Sequence, residues 1–158
     1  DITDPMTQER IVAELKRRKV NSVVSDISPD ITGKWNIDQA VAMTLVAKVF
    51  DFALPLLCNG GSFVTKLFQG VGVEELINAV KPHFSTVRRY SPEASRNSSS
   101  EVYLICRNYI PWKTESGSVL VDYETEVNKI LGGDEIDEDV VATKTKFTVR
   151  RKKTSSEE

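Results

Sequence analysis

Histidine is nearly absent from the 158 residues: there is one, His83. A lone histidine without ligand-spaced companions offers little for a zinc site, so no metal ligand is assigned. His83 follows Pro82 near an expected helix end and reads as a surface or capping residue. Cysteine is scarce as well. Cys58 and Cys106 lie in apolar surroundings, which reads as two buried free thiols in a reducing compartment rather than a disulfide framework. No apolar run approaches the roughly 20 residues that span a bilayer, and no secretory leader is visible. A cytoplasmic protein without a membrane partner is therefore expected. Internal repeats and coiled-coil heptads are missing too. The lack of a glycine-rich dinucleotide fingerprint excludes a nicotinamide-dependent dehydrogenase.

What is present is ordinary for a soluble domain: 40% hydrophobic and 28% charged residues, enough for one domain with a sizeable core. The net charge of −2 speaks against a nucleic-acid binder, but the distribution does not. Residues 81–113 hold six Lys/Arg against two acids. Residues 114–143 hold nine acids against Lys129, and residues 144–153 hold six basic residues and no acid. A near-neutral total thus hides a basic stretch.

The hydrophobic pattern predicts β-α-β-α-β-β over residues 20–109, preceded by a helix over 7–19 with a basic last turn, KRRK, suited to the helix dipole. Val20, Val23 and Val24 mark a buried strand that breaks into Ser25-Asp26. Asp38 is expected to cap a helix over 39–57, with Pro55 kinking or ending it. Residues 62–68 form the next strand, residues 73–80 a helix, and residues 84–90 and 101–107 two further strands. The last pair is joined too briefly for a helical crossover and should be antiparallel. Residues 110–158 read as a charged, loosely ordered tail, with Val119-Leu120-Val121 and Phe147-Thr148-Val149 as possible short strands.

Open α/β sheets keep their chemistry beyond the carboxyl ends of their strands. Asp26 ends one strand, Lys66 lies near the end of the next, and Glu101 starts an antiparallel one, so the three should converge on one sheet edge. An acid–lysine–acid cluster can orient a hydroxyl nucleophile, and partial burial would lower the lysine pKa enough for it to accept a proton. The plainer alternatives are a turn-capping Asp26 and a structural ion-pair network.

Three blocks in this order, SDISPDITG (25–33), NGGSFVTKLFQG (59–70) and PEASRNSSSEVYLICRNY (92–109), resemble those of the FtsJ/RrmJ (RlmE) family of S-adenosylmethionine-dependent RNA ribose 2′-O-methyltransferases. The resemblance covers residues 1–109 and implies a Rossmann-like class I methyltransferase sheet, of which this chain supplies the C-terminal portion. It implies catalytic roles for Lys66, as proton acceptor from the ribose 2′-hydroxyl, and for Asp26 and Glu101. Asp26 and Asp1 would hold the cofactor, Asp1 by its adenine; Ser95, Arg96 and Arg88 would contact RNA. The implied substrate is a uridine of large-subunit ribosomal RNA, with a transfer RNA or a non-catalytic RNA-binding module as alternatives.

Asp30 and Ser91 depart from the Asn and Lys usual there. The family's N-terminal catalytic lysine and glycine-rich cofactor loop have no counterpart, so a fragment of a longer protein is expected. The strand over residues 20–25 should then have one unpaired edge, and this chain alone should hold the cofactor weakly.

Overall fold

The computed structural model describes residues 1–30, 32–91, 101–112 and 117–130. Ser95, Arg96 and residues 147–149 lie outside them. The first helix, α1 (Pro5–Leu15), starts where Asp4 caps it: its carboxylate accepts from the Thr7 backbone N–H at 3.0 Å and the Thr7 hydroxyl at 2.9 Å. A cap oxygen of this kind satisfies an N–H that the helix itself leaves orphaned. The helix stops at Leu15 because Lys16 and Arg17 turn left-handed, with φ of 48° and 63°. The KRRK run therefore forms the corner into the first strand and not, as expected, a basic last helical turn.

Strand β1 (Val20–Ser25) leads by a loop into α2 (Trp35–Ala53). Asp38 is not its cap, since the helix begins earlier; Asp38 sits in the first turn. Its carboxylate accepts from the Thr32 N–H, the Thr32 hydroxyl and the Gly33 N–H at 2.6–3.0 Å, tying down the loop that follows Asp26. These bonds, the Thr32 hydroxyl's foremost, hold the Asp38 carboxyl below its ordinary range. Pro55 ends α2 in a 3₁₀ turn, Leu54–Leu56, as a proline should.

Asn36–Leu56 is long and apolar enough by length and composition to cross a membrane, a stretch the reading of apolar runs above passed over. More than half of it is buried inside the protein, with Met43, Ala47 and Phe50 fully covered, as befits a core helix.

Strand β2 (Leu57–Phe68) is longer than expected and runs back through Asn59-Gly60-Gly61. There it bulges: Val20 pairs with Leu57 but Ser22 with Ser62, leaving four residues of β2 opposite Asn21. Helix α3 (Val73–Val80), strand β3 (Phe84–Tyr90), strand β4 (Glu101–Tyr109) and helix α4 (Val119–Ile130) complete the described elements. The sheet order is β1-β2-β4-β3, with β1 and β2 parallel and both other pairings antiparallel. Among the described residues β1 pairs on one side only.

Alternation along the strands divides the sheet into two faces. Phe63, Thr65 and Leu67 of β2, with Val102, Leu104 and Cys106 of β4, are buried in the core that α2 and α3 share. Phe50 stacks on Phe63 with centroids 4.0 Å apart. Burial pushes the Cys106 thiol up to about 12. Cys58 is only half-buried, and its thiol donates to Asn21 Oδ1 at 3.3 Å.

Two expectations fail on the helical side. Val119-Leu120-Val121 opens a helix, not a strand, and α4 packs on α2 and α3 with Val119 and Tyr123 buried. Asp51 of α2 caps it from outside, accepting from the Val119 N–H at 2.6 Å and the Ser118 hydroxyl at 2.8 Å. Periodicity alone could not announce a helix that is held by a partner 68 residues earlier in the chain. His83 is buried rather than at the surface, 3% exposed, with the charges of Asp51 and Asp122 acting on it. Burial lowers its pKa from the ordinary 6.5, against the pull of those two carboxylates.

Candidate active site

Strand register builds the cluster. Ser25 pairs with Thr65 in parallel, so Asp26 leaves β1 level with Lys66 of β2. Across the antiparallel β2–β4 pair, Lys66 faces Tyr103 and Phe68 faces Glu101. Lys66, Phe68, Glu101 and Tyr103 therefore share the face turned away from the core. Lys66 Nζ lies 2.6 Å from Asp26 Oδ1 and 3.7 Å from Glu101 Oε1, and 5.8 Å from the centre of the Phe68 ring. The lysine side chain is 17% exposed, that of Asp26 71% and that of Glu101 37%. The ammonium is the sheltered centre, flanked by two carboxylates that water can reach.

The electrostatics correct the sequence expectation for Lys66. Its pKa is raised, not lowered, from the ordinary 10.5. The hydrogen bond to Asp26 is the largest cause and outweighs desolvation, and the charges of Asp26 and Glu101 add to it. The sequence placed the carboxylates beside the lysine, but it did not show that a hydrogen bond of 2.6 Å to Asp26 would outweigh burial.

A groove of about 550 Å³ runs along the unpaired edge of β1, lined by Ile2, Val20, Val23, Ile27 and Phe52 and reaching Asp26. Asp1 adjoins it through Ile2, its Oδ1 accepting from the Thr3 N–H at 2.8 Å and the Thr3 hydroxyl at 2.9 Å. Arg88 is exposed on β3, paired with Ile105 of β4, and so stands on the same face as Lys66 but two strands away. Tyr103, level with Lys66, escaped the sequence reading; the alternation Glu-Val-Tyr-Leu at 101–104 would have placed it on the face of Glu101.

Comparison with known proteins finds relatives among ribosomal RNA methyltransferases. Ribosomal RNA large subunit methyltransferase E of Methanoculleus marisnigri is 44% identical over 109 residues, covering 69% of this chain and 53% of that protein. The protein of the same name from Archaeoglobus fulgidus is 41% identical over 113 residues, covering 69% and 56%. That of Haloarcula marismortui is 38% identical over 101 residues, covering 64% and 38%. The chain thus spans about half the length of the curated relatives it matches, or less. The crystal structure of a ribosomal RNA methyltransferase from Plasmodium falciparum superposes with a TM-score of 0.57 at 21% identity, over 69% of this chain and 56% of that one. That likeness fixes a Rossmann-like methyltransferase fold. Residues 1–109, the stretch that carries Asp26, Lys66 and Glu101, match the family described as FtsJ-like methyltransferase, and the chain belongs to that family.

Proposed function

We propose that the full-length protein transfers a methyl group from S-adenosylmethionine to a ribose 2′-hydroxyl of RNA, in a uridine of the large ribosomal subunit. The observation that carries this is the ammonium of Lys66 held between Asp26 and Glu101 on a half-open sheet face. When bound, S-adenosylmethionine supplies an electrophilic methyl carbon on a sulfonium sulfur. The residues present fit one side of such a ligand. The carboxylates of Asp26 and Asp1 would accept from its ammonium, hydroxyl and amino groups, and Ile2 and Ile27 of the groove would offer an apolar wall.

Lys66 is already protonated in the resting site, so its part is to donate. Its ammonium holds the 2′-oxygen in line and stabilises negative charge that builds as the hydroxyl proton leaves. That proton passes to one of the flanking carboxylates. The proton-acceptor role implied by the resemblance would require breaking the pair with Asp26 first.

The test is transfer of tritiated methyl to large ribosomal subunits by the full-length protein and its Asp26→Asn and Glu101→Gln variants. The expected product resists alkaline cleavage at one phosphodiester, because a methylated 2′-oxygen cannot attack its neighbouring phosphate. Label found on a base, or undiminished transfer by both variants, would refute the proposal.

A further inference from the structure

We propose that Tyr90 forms a stacking subsite for a nucleobase of single-stranded RNA that flanks the nucleotide held at Lys66. This rests on the RNA reading above and adds where a neighbouring base lies. Lys66 of β2 pairs with Tyr103 of β4, and Tyr103 pairs with Tyr90 of β3, so the three stand in one row on the open face. Strands are spaced about 4.8 Å apart, which sets the Tyr90 backbone roughly 10 Å from that of Lys66. That is about one nucleotide's reach along an extended strand. Tyr90 is 55% exposed on the outermost described strand, and no described residue hydrogen-bonds its hydroxyl. A large ring left open beside a reactive centre is the form that unstacked RNA bases use for support.

Charge selects RNA over an apolar protein partner. Arg88 lies two residues before Tyr90 on the same face, and Arg107, paired with Thr86, lies diagonally across on β4. Both are exposed, and neither has a carboxylate within 4.0 Å among the described residues. Arg89, on the opposite face, is paired with Glu74. A protein surface closing over Tyr90 would bury two guanidinium groups without partners, which is costly. Phosphates neutralise them.

The measurement is fluorescence anisotropy of a labelled RNA loop bound to the full-length protein, with methyl transfer followed in parallel. Tyr90→Ala should weaken binding on the order of tenfold, the usual size of one lost base–aromatic stack. Tyr90→Trp should bind as the unaltered protein does. An RNA made abasic at the nucleotide flanking the target should lose a similar factor with the unaltered protein and nothing further with Tyr90→Ala. Unchanged affinity in Tyr90→Ala, or abasic losses equal in both proteins at every flanking position, would overturn the subsite. Failure of the unaltered protein to bind or methylate any RNA would overturn the RNA reading beneath it, and is visible without any variant.

Discussion

Lys66→Ala separates what this side chain contributes to folding from what it contributes to chemistry. The 2.6 Å contact to Asp26 is short, but Asp26 is 71% exposed, so water screens the pair. Exposed ion pairs contribute about 0.2–1 kcal/mol. The substitution also removes three methylenes that are only partly sheltered, each worth at most about 0.8 kcal/mol when fully buried. The expected loss is about 1–2 kcal/mol, or a fall in Tm of roughly 2–8 °C. The folded structure should survive while methyl transfer falls at least a hundredfold, about the cost of losing one oriented donor to a developing oxyanion.

The pH dependence has a definite sign. In the unaltered protein the lysine pKa is raised, so its contribution is complete below 10.5 and disappears as pH climbs through the raised value. The stability deficit of Lys66→Ala should therefore shrink as pH climbs through that raised value. Lys66→Arg, which keeps the charge, should retain more activity than Lys66→Ala. Thermal melts across pH, run beside tritiated-methyl transfer, check each point. Full activity in Lys66→Ala would refute the chemistry. An arginine variant as inactive as the alanine one would restore the proton-acceptor role.

Two further outcomes follow from the helical side. Asp51→Ala removes the acceptor for the Val119 N–H and Ser118 hydroxyl, and should cost about 1–2 kcal/mol as other lost helix caps do. Amide exchange should quicken at residues 119–123 and not in β2; unchanged protection at the start of α4 would contradict the cap. Burial lowers the His83 pKa below 6.5, so the unfolded chain binds that proton first and stability should decline as pH drops below 6.5. His83→Phe should flatten that decline in urea titrations, and an unaltered slope would assign it to other groups.

Much of the sheet was legible because its strands alternate cleanly. Phe63, Thr65 and Leu67 against Val64, Lys66 and Phe68 announce two faces, and the short link after Tyr90 announces an antiparallel return. The convergence of Asp26, Lys66 and Glu101 followed from their places at strand ends. What stayed hidden depends on distant partners. The Lys66 pKa turns on where Asp26 Oδ1 points, and α4 on the carboxylate of Asp51. The early end of α1 depends on two left-handed residues, Lys16 and Arg17, whose types ordinarily favour helix.

The docking of α4 sets similarity and foldability at different boundaries. The match to the family model ends at residue 109. The buried surface continues to Tyr123, whose ring lies over Gly72, a glycine with φ of +92° at the start of α3, just beyond the strand that carries Lys66. A chain cut where the likeness ends would uncover apolar surface on α2 and α3 and release the turn that follows β2. The stretch that the family model recognises is therefore smaller than the packed unit in which α4 closes over the helices behind the lysine's strand.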